Sequence, residues 1–180
     1  MKDQFYEMRG SEQREGLEQM IEWINNIRPT SEMSMIEIGS YVGESTLMFA
    51  DNFKEVISID PYVNDYDPND LACSYAPFDK VYQQFLKNTL SIPNIKSIRD
   101  TSQNAFSILK EQQWDVVYID GSHTLEGVHY DMTHYKTIIK PGGFVCGHDY
   151  GWGNIRHNLG IIFDDKVDAT FKDGSWIVKI

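Results

Sequence analysis

From residue 12 to residue 27 apolar side chains recur every three or four positions. Leu17, Met20, Ile21, Ile24 and Ile27 form one stripe of a helix, with Ser11 placed to cap it. Pro29 breaks the pattern, so residues 1–30 read as an N-terminal helical segment. Beyond it, short apolar runs alternate with helical periodicity. Strands are predicted at 33–38, 55–60, 95–99, 115–119 and 144–147, and helices at 45–53, 79–90, 103–111, 125–139 and 154–163. The run DVVYI at 115–119 is apolar enough to be covered on both faces. Two further strands, at 167–171 and 175–180, flank Lys172-Asp173-Gly174, a hairpin signal.

Strands that alternate with helices in this way build a parallel sheet through right-handed crossovers. The predicted fold is therefore α/β: a Rossmann-like, doubly wound, mostly parallel seven-stranded sheet with an antiparallel C-terminal hairpin and helices on both faces. No linker or shift of composition divides the chain, and one domain over 1–180 is expected. The longest irregular stretch, 61–77, is rich in Asp, Tyr and Pro. It follows the second strand, at the carboxyl edge where open α/β sheets bind ligands, and reads either as a substrate loop or as a solvated insertion.

Composition narrows the function classes. Sixteen Lys and Arg against 27 Asp and Glu give a net charge of −11. Nucleic acid is not an expected partner, because its affinity depends on basic residues that displace counterions. Cys73 and Cys146 do not form a disulfide framework, which suits a reducing, cytoplasmic setting. The first residues lack an apolar signal core, and no uncharged apolar run approaches the ~18–20 residues of a membrane span.

Candidate chemistry collects at the strand ends. Glu37-Ile38-Gly39-Ser40-Tyr41-Val42-Gly43-Glu44-Ser45 lies where the first strand hands over to a helix. Gly39 permits the turn, and Gly43 lets the helix start close to a ligand, whose charge its free N–H groups meet. The spacing is G-x-x-x-G, not the G-x-G-x-x-G of dinucleotide sites, and Glu37 would repel a pyrophosphate but suit a cationic ligand. S-adenosylmethionine, with its sulfonium and ammonium, fits those electrostatics. Asp60, ending the second strand, is placed to accept hydrogen bonds from a ribose, which serves S-adenosylmethionine or NAD alike. Ser102, after the third strand, is placed to reach an adenine edge.

Asp120 and His123 follow the fourth strand, and His148 and Asp149 follow the fifth. These strands are expected to be neighbours, which brings two carboxylates and two imidazoles to one edge, a plausible shell for Mg²⁺ or Mn²⁺ ahead of zinc. His129, His134 and His157 fall on predicted helices and read as surface or satisfied residues.

At this point the sequence resembles the class I S-adenosylmethionine-dependent methyltransferases, over nearly the whole chain. IEIGSYVGEST is similar to the first motif of the caffeoyl-CoA and catechol O-methyltransferases. YIDGSHTLEGVHYD with PGGFVCGHDY resembles more specifically the branch of macrocin-type sugar O-methyltransferases and cephalosporin-hydroxylase-like proteins. The resemblance implies that Glu37, Gly39, Tyr41, Gly43 and Ser45 line the methionine end of the cofactor and that Asp60 holds its ribose. It implies a divalent metal, Mg²⁺ first, on Asp120 and Asp149. His148 departs from the Asp-Asn pair of caffeoyl-type enzymes and is included as a third ligand. His123 falls where the sugar-methylating branch has a catalytic histidine, and is expected as general base, with Asp120 beside it as the other catalytic residue.

The expected activity is methyl transfer to a hydroxyl of a small sugar-like or catechol-like molecule. A cofactor-binding domain without catalysis and an NAD-dependent oxidoreductase are the alternatives. Tyr62, Tyr66, Tyr75 and Trp152 are candidate stacking residues for the acceptor, with the segment from Phe5 to Ser11 and the 61–77 loop around them. A homo-oligomer is expected only because closed assemblies are common.

Overall fold

The computed structural model describes residues 10–68, 70 and 72–180. Phe5 of the N-terminal segment, positions 69 and 71 of the loop and the Tyr75 side chain lie outside the described residues.

The alternation within each strand explains the layering. In β1 (Ser34–Ile38) Met35 faces one side of the sheet while Ile36 and Ile38 face the other, and all three are buried. The same division runs through β2 (Glu55–Ile59) and β4 (Trp114–Ile119), whose six residues are all buried. One core joins Ile36, Ile38, Val117 and Ile119 to α5 (Ser102–Leu109), α6 (Leu125–Tyr135) and α7 (Gly153–Phe163). The other joins Met35, Val116 and Tyr118 to Leu17, Met20, Ile21 and Ile24 of α1 (Ser11–Asn25) and to Phe49 of α2 (Glu44–Ala50). A smaller cluster holds Tyr62 against Val81 and Phe85 of α4 (Phe78–Thr89).

With β3 (Ile95–Ile98), β5 (Ile139–Gly147), β6 (Ala169–Thr170) and β7 (Trp176–Lys179), the sheet runs β3-β2-β1-β4-β5-β7-β6. The pairs β1–β2, β1–β4, β2–β3 and β4–β5 are parallel, whereas β5–β7 and β6–β7 are antiparallel. The doubly wound, seven-stranded architecture read from the sequence is the one observed. Because β2 and β4 flank β1, the winding reverses between β1 and β4, and a crevice opens at their carboxyl ends.

Several boundaries differ from the pattern reading, each for a local reason. Gly10, not Ser11, caps α1, and its N–H donates to Gln13 Oε1 at 2.8 Å. The helix at 125–139 ends at Tyr135 and tightens into a 3₁₀ turn over Lys136–Ile138. β5 then begins at Ile139, before the Pro-Gly-Gly, because a register shift opposite Trp114 and Val116 absorbs the irregular residues. The strand expected over 167–171 shrinks to Ala169–Thr170. The stretch 61–77 is not wholly irregular, since it contains the short helix α3 (Ala72–Tyr75).

At the amino edge, Asp115 ties the sheet together. It accepts from Ser34 N (3.0 Å), Lys140 Nζ (3.0 Å) and Arg28 Nη2. Burial works against its charge, but these three donors outweigh it and hold the carboxyl below its usual range.

Candidate active site

The carboxyl ends of β1, β2, β4 and β5 enclose one cavity of about 280 Å³. Its floor is the turn after β1. Gly39 adopts φ +88°, and a Cβ there would stand 1.9 Å from the Asp120 carbonyl oxygen, so only glycine allows β1 to end this close to β4. Tyr41 follows at φ 47°, strained for a non-glycine residue. Asp60 supports the turn. Its Oδ2 accepts from Ser40 N (3.1 Å) and Tyr41 N (2.9 Å), and its Oδ1 from Tyr62 N (2.8 Å). Burial raises the Asp60 pKa, and the three amides and the more distant Arg99 only partly offset it. The carboxylate therefore shapes the β1 turn and also faces the cavity.

The predicted cofactor residues separate into two groups. Gly39, Tyr41, Ser45, Asp60, Ser102 and Asp120 line the cavity, whereas Glu37 and Gly43 do not. The buried Glu37 carboxylate accepts from Ser45 Oγ (2.5 Å) and from Thr46 Oγ1, locking α2 onto the end of β1. Gly43 is the left-handed N-cap of α2, and a Cβ there would press on the Phe85 ring at 3.0 Å.

At the far wall, Asp120, His123 and Asp149 bring potential ligand atoms within 4.8 Å of one another. Two carboxylates and an imidazole are the donor set of a hard or borderline divalent cation, and the cluster fits one. His123 lies beside the two carboxylates with Nε2 turned toward Asp149, leaving those two as the cation's ligands, whereas sequence reasoning added His148 as a third. His148 still faces the cavity, with Nδ1 3.2 Å from Asp149 Oδ1 and 3.7 Å from Asp120 Oδ1.

His123 is the most constrained side chain of the site. Its backbone N–H donates to Asp67 Oδ2, and its Nδ1 lies 3.0 Å from the same oxygen. Nε2 lies 2.8 Å from Asp149 Oδ2, the Trp152 ring packs 4.6 Å away, and Asn154 Nδ2 donates to its carbonyl at 2.9 Å. Burial disfavours the imidazolium, but the Asp149 hydrogen bond, the charges of Asp149 and Asp120 and the Asp67 hydrogen bond outweigh it and lift the pKa to about 9. Asp149 is also strained, at φ 58°. Burial opposes its charge as well, yet His123 and His148 hold its pKa far below the usual carboxylate range.

Sequence reasoning missed Asp67 and Asp173. Asp67 was one of several acids in an irregular stretch, and nothing in its spacing pointed at residue 123. Asp173 sat in a predicted hairpin turn. Its buried carboxylate holds Ser175 N (3.0 Å) and Ser175 Oγ (2.7 Å), and its Oδ2 lies 3.9 Å from His148 Nε2. Of the other histidines, His129 Nδ1 lies 2.9 Å from Asn158 Oδ1 and His134 stacks on Tyr130 at 3.8 Å, away from the cavity. Tyr66 lines the cavity, whereas Tyr62 is packed beneath it against Tyr82.

Residues 36–150 match the family described as a methyltransferase domain. No curated protein sequence matches the chain. Among solved structures, SMU.1697c of Streptococcus mutans, in complex with SAH, aligns with a TM-score of 0.63 at 11% identity, covering 92% of this chain and 98% of that one. CalS11, the TDP-rhamnose 3'-O-methyltransferase of calicheamicin biosynthesis, aligns at 0.63 and 10% identity, covering 94% and 80%. The cofactor-bound protein Rv0187 from MTB aligns at 0.65 and 14% identity, again covering 94% and 80%. At these identities the likeness is one of fold.

Proposed function

We propose, from the premise that this chain belongs to the methyltransferase-domain family, that it moves the methyl group of S-adenosylmethionine to a hydroxyl oxygen of a small molecule. The observation that carries this reading is one cavity whose two walls suit the two halves of that reaction. On one side lie the Gly39–Tyr41 turn, Asp60 and Ser102, suited to a nucleoside with a cationic tail. On the other lie Asp120, His123 and Asp149, suited to an ionising hydroxyl. Among the described residues no lysine or arginine lines the cavity, which disfavours a highly anionic acceptor.

The residues divide the work. Gly39 brings the β1 turn close enough for a ligand to lie across the strand ends, and Ser102 opens α5 beside it. Asp120 and Asp149 would hold a divalent cation, which when bound supplies positive charge that favours ionisation of a nearby hydroxyl and neutralises Asp149. His123 accepts the acceptor's proton at Nε2. The freed oxygen attacks the methyl carbon in line, the carbon–sulfur bond breaks, and S-adenosylhomocysteine leaves as the neutral thioether. Alignment of the two reactants contributes much of the rate, because the sulfonium is already activated.

Calorimetric titration with S-adenosylhomocysteine and, separately, with NAD tests the cofactor. Stoichiometric binding of the former alone at roughly micromolar affinity, about −8 kcal/mol, is expected. Binding of NAD alone would overturn the reading. Transfer of labelled methyl from S-adenosylmethionine to a panel of sugars and catechols then identifies the acceptor.

A further inference from the structure

We infer that Asp67, carried by the 61–77 loop, is a positioning residue for His123, an inference that rests on the methyl-transfer reading above. A single oxygen, Oδ2, faces both the backbone N–H and the ring Nδ1 of His123, the latter at 3.0 Å. That arrangement fixes the side chain's χ1 and ring plane together, and it commits Nδ1 to carry its proton. Nε2, the nitrogen pointing toward Asp149 and Asp120, is then the only ring position left to exchange one. Asp67 is 2% exposed. Burying a carboxylate costs several kcal/mol unless hydrogen bonds to it are good, and two N–H donors from one residue meet that need.

The loop that carries Asp67 is itself braced. Asn64 Nδ2 donates to the Ala76 carbonyl at 3.0 Å, and Asp65 N donates to the Cys73 carbonyl at 2.9 Å, closing the loop on itself. The preceding residue, Tyr66, reaches the other end of the cavity, with its hydroxyl 3.5 Å from Gln103 Oε1 at the start of α5. Adjacent loop residues thus contact the nucleoside wall and the proton-accepting wall. Trp152 closes the opposite face of the imidazole. The ring is held by a loop carboxylate, an aromatic plane and Asp149, and the loop placement of Asp67 makes the histidine's alignment depend on loop order.

The test is a double-mutant cycle on the full chain, comprising wild type, Asp67→Ala, His123→Ala and the double variant, with Asp67→Asn alongside. Turnover is measured with the acceptor that wild type methylates in the panel, and S-adenosylhomocysteine affinity by calorimetry. Asp67→Ala is expected to lower kcat by about 100-fold, the scale for a misplaced reacting group, with KM and S-adenosylhomocysteine affinity unchanged. If Asp67 acts on turnover through that ring, the double variant should be no slower than His123→Ala. Asp67→Asn keeps an acceptor oxygen for both N–H groups and should recover much of the loss. In the long-range ¹H–¹⁵N spectrum, the protonated Nδ1 of His123 should persist in Asp67→Asn and vanish in Asp67→Ala. Additive losses in the double variant, or a fall in cofactor affinity matching the fall in turnover, would show a loop-structural role and overturn the inference. If Asp67→Ala does not fold, Asp67→Asn decides alone: retained activity with retained Nδ1 protonation supports positioning, and lost activity with both N–H contacts intact refutes it. Wild type that transfers no methyl to any acceptor refutes the methyl-transfer reading first, and this inference with it.

Discussion

His123 has a carboxylate at each ring nitrogen, Asp67 at Nδ1 and Asp149 at Nε2, and both favour the protonated ring. In the proposed reaction it would accept a proton once a bound cation draws the Asp149 charge away. Replacing His123 with Ala should lower turnover by about 10²–10⁴-fold, the usual contribution of general-base catalysis, while S-adenosylhomocysteine binding measured by calorimetry stays intact. A second buried acid gives a separate signature in stability. Asp131 on α6 is fully buried, and burial, only partly countered by a hydrogen bond with Ser102, raises its pKa to about 7. Between its unfolded value near 3.8 and about 7, the unfolded chain has lost this proton and the folded chain has kept it. The unfolded state then binds fewer protons, so folding stability falls as pH rises through that window and levels off above it. Thermal melts should show that decline in the wild type and a flatter profile in Asp131→Asn. At this scale the sequence was partly legible. Asp120, His123, His148 and Asp149 stood out because strand ends are where chemistry collects, but which imidazole joined the carboxylates depended on side-chain direction. Glu37 looked like a ligand because it ends a strand. In the structure its carboxylate accepts hydrogen bonds from Ser45 and Thr46 in the first turn of α2.

Among the elements, the regular ones were legible because period decides them: five short apolar strands, each with a helix after it, leave few arrangements. The boundaries that failed are those set by a partner rather than by the pattern. β5 reaches back to Ile139 because Trp114 on β4 pairs with it across a bulge. The hairpin of β6 and β7 was visible from Lys172-Asp173-Gly174, but not the reach of its turn beneath the site. Asp173 there packs against α1: a Cβ on Gly16 would meet the Asp173 carboxyl group at 2.5 Å. Gly16→Ala should therefore force α1 and the hairpin apart, and chemical denaturation should show a destabilisation of about 1–3 kcal/mol, the usual cost of overpacking. If packing against Asp173 is instead soft, Gly16→Ala will gain the few tenths to one kcal/mol that alanine offers in a helix, the opposite sign.

Across the whole molecule, a net charge of −11 is combined with a cavity that gathers Glu44, Asp60, Asp67, Asp70, Asp120 and Asp149 into its lining. Like charges held that close destabilise the fold, and a cation bound among them should relieve it. Mg²⁺ or Mn²⁺ is expected to raise the melting temperature in a concentration-dependent way. The Asp120→Asn, Asp149→Asn double variant should melt at a temperature indifferent to either ion, and an equal rise in that variant would place the ion elsewhere. Among the described residues no helix is long and apolar enough to cross a membrane.

The antiparallel return of β7 has a practical consequence. It carries Ile180 back to the amino edge of the sheet, where its N–H donates to the Gly143 carbonyl at 2.9 Å and its carbonyl accepts from Gly142 N at 2.7 Å. The other end of the described chain enters α1 beside the cavity, with Gln13 in its rim. A tether for surface immobilisation, or a fluorescent reporter, therefore belongs after residue 180, where it hangs from the closed side. The same tether attached at Gln13 on α1 would stand at the edge of the cavity.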